Sequence, residues 1–255
     1  MNKFELHEKT IIIAGASSGI GYCTARQCAE AGAKVILFAR RLKLLHQCVS
    51  ECPDSACCCP LQVDLTDEEA VKNALDAAVA KFGKIHGMVY LAGTASSVPL
   101  KAVEMEDFLS DYQVNVAAGL RLAGLLSLKK YCSPDGASFV FISSVVAHAG
   151  TAGISSYSAS KGALISGARS LAAELAPRKI RVNTISSGYV TGTGMSSNNF
   201  DRLPEDSKQK LADAHLLGMG KPENIALPIQ FLLSDASSWI SGSDLVVDGG
   251  YLLRR

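Results

Sequence analysis

No apolar run in this chain approaches the roughly 20 residues that a membrane-crossing helix needs, which excludes a helical membrane protein. The opening Met1-Asn2-Lys3-Phe4-Glu5-Leu6-His7-Glu8 has no apolar stretch of the kind that directs secretion, so a cytoplasmic location is expected. Excess charge is lacking too. With 25 Lys+Arg against 24 Asp+Glu the net charge is +1, which gives no electrostatic case for nucleic acid or an acidic membrane surface. Linkers, internal repeats and low-complexity tracts are missing. A chain of 255 residues at 48% hydrophobic can bury one large core, and a single domain over residues 1–255 is expected.

A metal or disulfide framework is also absent, although there are eight cysteines, five of them at Cys48, Cys52, Cys57, Cys58 and Cys59. Zinc or an iron–sulfur cluster would want two clean ligand pairs on accommodating turns, and disulfides would want an oxidising compartment. Neither condition is met. Cys57 to Val63 falls where a third strand should run, so alternate thiols point to opposite faces and do not converge on one ion. Free, reduced thiols that pack as small hydrophobes are expected, with no metal. The five histidines are scattered, and none completes a catalytic set by spacing.

What is present begins with Thr10-Ile11-Ile12-Ile13-Ala14-Gly15-Ala16-Ser17-Ser18-Gly19-Ile20-Gly21, a β-branched run, then three glycines, then a helical pattern. Gly15, Gly19 and Gly21, with Ile20 between the last two, let backbone approach a pyrophosphate whose charge is favoured by free N–H groups at the helix start. Ser17 and Ser18 add hydroxyls. Taken alone, the same glycines serve equally as a tight strand-to-helix turn. The second strand, Lys34–Phe38, resolves the matter. It ends in Ala39-Arg40-Arg41 where an acidic residue would accept from a ribose 2′-OH, and the planar fork of arginine suits a 2′-phosphate instead. NADP(H) is therefore expected over NAD(H), with Arg40 the stronger candidate and Arg41 the weaker.

Tyr157-Ser158-Ala159-Ser160-Lys161 places a lysine one helical turn after a tyrosine, with Ser144 thirteen residues upstream. An unperturbed tyrosine, with a pKa near ~10, exchanges protons poorly at neutral pH until a cation favours its phenolate, and Lys161 is that cation in this reading. Ser144 supplies a hydroxyl to hold a substrate oxygen.

Taken together these segments resemble the short-chain dehydrogenase/reductase family over essentially the whole chain. Gly15-x-x-x-Gly19-x-Gly21 is similar to its phosphate loop, Val63-Asp64-Leu65 to the strand end whose aspartate contacts adenine, and Asn115, Ser144, Tyr157 and Lys161 to its catalytic tetrad. Gly220-Lys221-Pro222-Glu223-Asn224-Ile225-Ala226 and Ser241-Gly242 through Gly250 resemble its closing helix and final strand. The resemblance implies a Rossmann-type, doubly wound α/β fold. It implies a reversible hydride transfer between the nicotinamide and a carbonyl or secondary alcohol. Tyr157 is then general acid/base, Lys161 also holds the ribose, and Asn115 orients a water that relays protons to Lys161. Cofactor contacts follow at Asp64 and Leu65, at Ala92 and Gly93, and at Gly188 and Val190.

Departures from the family pattern are clear. Tyr90-Leu91-Ala92-Gly93 stands where Asn-Asn-Ala-Gly is usual, and Ser187-Gly188 replaces Pro-Gly. The expected threonine is Gly192. Thr193-Gly194-Met195 resembles the same motif with one residue inserted, so Thr193 is assigned to the nicotinamide carboxamide.

Strands and helices alternate, which argues for a parallel sheet with helices on both faces. The seven strand candidates are Thr10–Ala14, Lys34–Phe38, Cys58–Val63, Gly87–Leu91, Ser138–Ser143, Arg181–Ser186 and Asp244–Val247. Residues 191–217 suit a substrate lid. His148, on the loop that lines the substrate pocket in the family, either touches a polar substrate or sits in solvent. Two long helices, Glu104–Leu128 and Tyr157–Ala176, carry small residues (Ala117, Ala118, Gly119 and Gly124; Ala163, Gly167 and Ala168) suited to pairing into a tetramer or dimer. Two alternatives stand beside a reductase of small carbonyl compounds: a 3-oxoacyl-(acyl-carrier-protein) reductase, weakened by the lack of arginine in Ser170–Glu174, and a dinucleotide-sensing protein without catalysis.

Overall fold

The computed structural model describes residues 2–194 and 204–253. Seven parallel strands form one sheet in the order β3-β2-β1-β4-β5-β6-β7. They are β1 (Thr10–Ala14), β2 (Lys34–Ala39), β3 (Cys58–Gln62), β4 (Gly87–Tyr90), β5 (Ala137–Ser144), β6 (Ile180–Ser187) and β7 (Asp244–Val247). Every expected strand is present, with ends displaced by at most one residue.

Strand pleating divides the side chains between two cores. Along β1, Ile12 and Ala14 enter one core, and Ile11 and Ile13 enter the other. The first core is closed by α3 (Glu68–Phe82), α5 (Ala118–Leu126) and α6 (Ser155–Leu175), and the second by α1 (Gly19–Glu30), α2 (Leu42–Ser50) and a helix at Pro222–Leu233. The strand order reverses between β1 and β4, and there the sheet opens at the strand carboxyl ends. Gly15, with φ of +102°, sits in that opening, where an added Cβ would come within 2.7 Å of the Ala92 nitrogen.

The helix expected over 104–128 is not continuous. It runs as α4 (Met105–Tyr112), a π-helical turn (Gln113–Ala117) and then α5. Two hydrogen bonds from residues distant in the chain meet this wide turn. The Val114 carbonyl accepts the buried Tyr90 hydroxyl at 2.6 Å, while Asn115 reaches across to Thr94. The small residues are partly accounted for inside one chain. A Cβ on Gly119 would meet the Tyr90 ring at 2.8 Å, and one on Gly167 would meet Leu120 at 2.8 Å.

Beyond the π turn's neighbourhood, α7 (Glu205–Ala214) lies in the expected lid, and α8 is the helix Pro222–Leu233. Met195 and the rest of 195–203 fall outside the described residues. At the edge of the sheet β7 is only partly covered, and Trp239, in the connection before it, is 99% exposed. Among the described residues no helix is long and apolar enough to cross a membrane.

Candidate active site

The phosphate loop is shaped by what its glycines exclude. A Cβ on Gly21 would lie 2.2 Å from the Gly15 carbonyl oxygen, so the loop closes this tightly only with glycine there. α1 starts with no side chain capping its first N–H groups, because the N-cap Ser18 hydroxyl accepts from Arg41 instead. Those groups are left for an anion, which fits a pyrophosphate. Arg41 Nη2 also donates to Ser17 Oγ at 2.7 Å, while Arg40 is exposed and holds Gln62 only through its carbonyl. Of the two arginines, Arg41 is the one that hydrogen-bonds to the loop. Arg40 follows the last residue of β2 and lies near Asp64, whose carboxyl it helps to hold below its ordinary range after the hydrogen bonds from Thr66.

Asp64 closes its own turn by accepting the Thr66 N–H and hydroxyl at 2.9 and 2.7 Å, and Leu65 beside it packs on the first core. Ile20 is held against the second core. Thr193 lies over the loop, since a Cβ on Gly19 would be 2.8 Å from the Thr193 Cβ. Gly188 passes so close to Asp248 that a Cβ would be 2.8 Å from its Cα, and Val190 bridges to Gly220.

Ser144, Tyr157, Lys161 and Asn115 converge at the carboxyl ends of β4 and β5. Ser144 ends β5, and its hydroxyl is near enough to that of Tyr157 to favour the phenolate. Lys161 Nζ sits 5.6 Å from the Tyr157 ring centroid and donates to the Ile142 carbonyl at 2.9 Å. Asn115 Nδ2 donates to the Thr94 carbonyl at 3.0 Å and to Ser160 Oγ at 2.9 Å, while its Oδ1 accepts the Thr94 N–H at 2.8 Å. Both amide hydrogens are thus used on protein. A relay water can be held by this residue only at an oxygen. Gly93 keeps the space open, as a Cβ there would stand 2.9 Å from Asn115 Oδ1 and 3.6 Å from Lys161 Nζ.

The electrostatics differ from the expectation that Lys161 draws the tyrosine down. Burial pushes the Tyr157 hydroxyl up to about 12, the Ser144 hydrogen bond opposes this, and Asp111 adds to the rise. Lys161 is pulled down to about 8 by burial, against the attraction of Asp111. The geometry gives the reason: the ammonium faces the ring and the Ile142 carbonyl.

Asp111 was not singled out from the sequence. It is fully buried, accepts from Thr94 Oγ1 and Ser96 Oγ at 2.8 and 3.2 Å, and accepts from Ser156 Oγ at 2.6 Å. Its one available signal was its place one turn before Asn115. His148 is exposed but paired within the chain. Its Nε2 meets Asp244 Oδ2 at 2.7 Å and Ser186 Oγ at 3.1 Å, tying the loop after Ser144 to β6 and β7. His215, after α7, is buried with Nδ1 against the Leu211 carbonyl at 2.8 Å and Nε2 accepting the Tyr189 N–H at 3.0 Å.

The family model described as enoyl-(acyl carrier protein) reductase matches residues 15–252. The chain belongs to the short-chain dehydrogenase/reductase family. Among relatives in that family, cis-4-hydroxycyclohexanecarboxylate dehydrogenase of Sinomonas cyclohexanicum is 32% identical, covering 96% of both chains. The 3-oxoacyl-(acyl-carrier-protein) reductase of Thermotoga maritima is 33% identical over 97% of this chain and 99% of its own. A solved short-chain dehydrogenase, 7α-hydroxysteroid dehydrogenase in complex with NADH and 7-oxo glycochenodeoxycholic acid, superposes with a TM-score of 0.90 at 30% identity. That match covers 97% of this chain and 96% of the other.

Proposed function

We propose that this chain is an NADP(H)-dependent oxidoreductase that moves a hydride between the nicotinamide and a carbonyl or secondary-alcohol carbon. The observation that carries the reading is the placement of Lys161 Nζ 5.6 Å from the Tyr157 ring centroid, with Ser144 at the end of β5 beside them. When bound, the nicotinamide supplies or accepts the hydride. The chain supplies everything else. In reduction, Tyr157 gives its hydroxyl proton to the substrate oxygen, and the Ser144 hydroxyl donates to the same oxygen as negative charge develops there. Lys161 and Asn115 hold that geometry from one side, and Lys161 takes the ribose hydroxyls in this reading. Gly15 to Gly21, with Ser17 and Ser18, hold the pyrophosphate. Asp64 and Leu65 face the adenine, Ala92, Gly93, Gly188 and Val190 the ribose and nicotinamide, and Thr193 the carboxamide.

Preference for the phosphorylated cofactor rests on Arg41 and Arg40 and on the lack of an acidic side chain at Ala39. The rest of the reading is a single domain with a lid over 191–217, a cytoplasmic setting, no nucleic-acid or membrane partner, and assembly into a tetramer or dimer. Light scattering at micromolar concentration giving the monomer mass of 26.8 kDa would remove the last of these.

A second reading, reduction of a carrier-bound 3-oxoacyl group, is favoured by the match to the Thermotoga enzyme. The lack of arginine in Ser170–Glu174 counts for less against it than expected, because exposed Arg169 immediately precedes that stretch.

The test is a nicotinamide-fluorescence titration with NADPH and NADH, then turnover on a panel of cyclic ketones, sugar ketones and a 3-oxoacyl thioester. Tighter NADPH binding with turnover on any panel member supports the proposal, and turnover confined to the thioester selects the second reading. Binding without turnover on any member leaves the chain a dinucleotide sensor.

A further inference from the structure

All eight thiols are unpaired, and the hydride transfer uses none of them. Within β3 the sheet separates its cysteines, as strand pleating requires, with Cys58 in one core and Cys59 in the other. The connection from α2 to β3 brings others back together. Cys48, buried in the last turn of α2, faces the same core as Cys58, and Cys52 follows one helical turn later with its side chain partly exposed. The Cys52 thiol donates to the Cys48 carbonyl at 3.3 Å, and Cys52 packs against the core that holds Cys48 and Cys58, near enough for the three thiols to perturb one another's titration.

Asp54 builds the turn that makes this possible. Its Oδ1 accepts the Ala56 N–H at 2.9 Å, and its carbonyl faces Cys58 Sγ at 3.8 Å. Its Oδ2 takes the Cys57 thiol at 3.2 Å, which keeps Cys57 out of the trio. Among the described residues no three His, Cys, Asp or Glu side chains are placed to hold an ion.

We infer that Cys52 is a peroxide-reactive thiol, with Cys48 and Cys58 as the thiols that resolve its oxidised form into a disulfide. Negative charge belongs on the middle sulfur. The nearby Cys48 and Cys58 thiols favour the Cys52 thiolate and lower its pKa against its own burial, with Arg26 adding to the fall, while that same interaction with Cys52, then burial, raise the two neighbours. The nucleophile is thus also the member of the trio that solvent reaches. The Cys52 thiolate attacks one oxygen of hydrogen peroxide, the O–O bond breaks, and hydroxide leaves to take up a proton, giving a sulfenic acid. Cys48 or Cys58 then attacks that sulfur, the S–O bond breaks and water leaves. Two thiols and one peroxide become one disulfide and two waters. A dithiol reductant reverses the step.

The experiment uses the intact wild-type chain treated with equimolar hydrogen peroxide, followed by alkylation of the remaining thiols and peptide mapping. There is no Lys or Arg between Lys43 and Lys72, so trypsin must be combined with cleavage after Glu51 and before Asp54 to separate Cys48, Cys52 and Cys58. The expected product is a link from Cys52 to Cys48 or Cys58, with loss of two hydrogens, reversed by dithiothreitol. In Cys48→Ser/Cys58→Ser, Cys52 should instead be trapped by dimedone as the sulfenic acid.

Partly exposed Cys23, pushed up to about 11 chiefly by burial, is the internal comparison and should oxidise on the order of tenfold more slowly. Oxidation of Cys23 or Cys57 ahead of Cys52 overturns the inference. So does Cys52 reaching sulfinic acid in the wild type without a link. Should the double variant not fold, the wild-type map decides alone. Because the readout is mass, an inactive enzyme would leave the result standing.

Discussion

Two ends of the same cleft hold their polar side chains in opposite ways. At the carboxyl ends of β4 and β5, Asp111, Asn115, Ser160 and Lys161 are buried, and their hydrogen bonds close within the protein. At the carboxyl ends of β2 and β3, Arg40, Arg41 and Asp64 are exposed, with Arg41 and Asp64 anchored by two side-chain contacts each. The buried end is organised before any ligand arrives, so its contribution should appear in turnover. The exposed end has side-chain freedom to lose on binding, so its contribution should appear in affinity and in the choice of cofactor.

The largest expected effect tests the buried end. Tyr157→Phe keeps the ring against which Lys161 packs, so NADPH affinity by fluorescence titration should stay within a few-fold. Turnover on a panel substrate should fall by ~10²–10⁴-fold with the general acid gone. Wild-type turnover in that variant would break the comparison, because proton transfer would not depend on the preorganised cluster.

Next in size is Arg41→Ala against Arg40→Ala. Loss of a charge-assisted contact to the 2′-phosphate should weaken NADPH binding by about 1.5–3 kcal/mol in Arg41→Ala, with NADH affinity and turnover at saturation unchanged. Arg40→Ala should cost less, since Arg41 is the one that hydrogen-bonds to the phosphate loop. A reversed order in the two titrations would show that the exposed arginines rearrange around the cofactor.

A smaller effect concerns stability. Lys161 titrates at about 8 in the folded chain against an ordinary 10.5, so between those pH values the unfolded chain binds more protons and wild-type stability rises with pH. Below pH 8 the buried charge is a standing penalty. Lys161→Met should therefore be more stable than wild type in urea at pH 7 by about 1–3 kcal/mol, after allowing for the unpaired Ile142 carbonyl. The gain should shrink as pH is raised through 8. A loss of stability at pH 7 would mean that the lysine is held more favourably than its burial implies.

The strands were legible because parallel strands covered on both faces read as short apolar runs between turn residues, and the glycine loop and the Tyr157–Lys161 pair because their spacing is local, whereas Asn115 came only from the family resemblance. What escaped the sequence depends on distant partners. Tyr90 and Thr94, far from α4 in the chain, set the π turn at Gln113–Ala117. The bonds from Arg41 to Ser17 and Ser18 join residues 24 and 23 positions apart. His148 is decided by Asp244, 96 residues away. The opposite faces of Cys58 and Cys59 follow from the two-residue period of a strand, whereas the meeting of Cys48, Cys52 and Cys58 depends on how a turn closes.

Trp239 is the chain's single tryptophan, and it stands 99% exposed beside the partly covered edge strand β7. An indole already in water emits at long wavelength in the folded chain and gains little further red shift when the chain opens. Intrinsic emission will therefore be nearly blind to unfolding of the two cores, which circular dichroism has to follow instead. The same fluorophore is free to report on its own edge of the sheet, where a blue shift that grows with protein concentration would register a surface closing over β7.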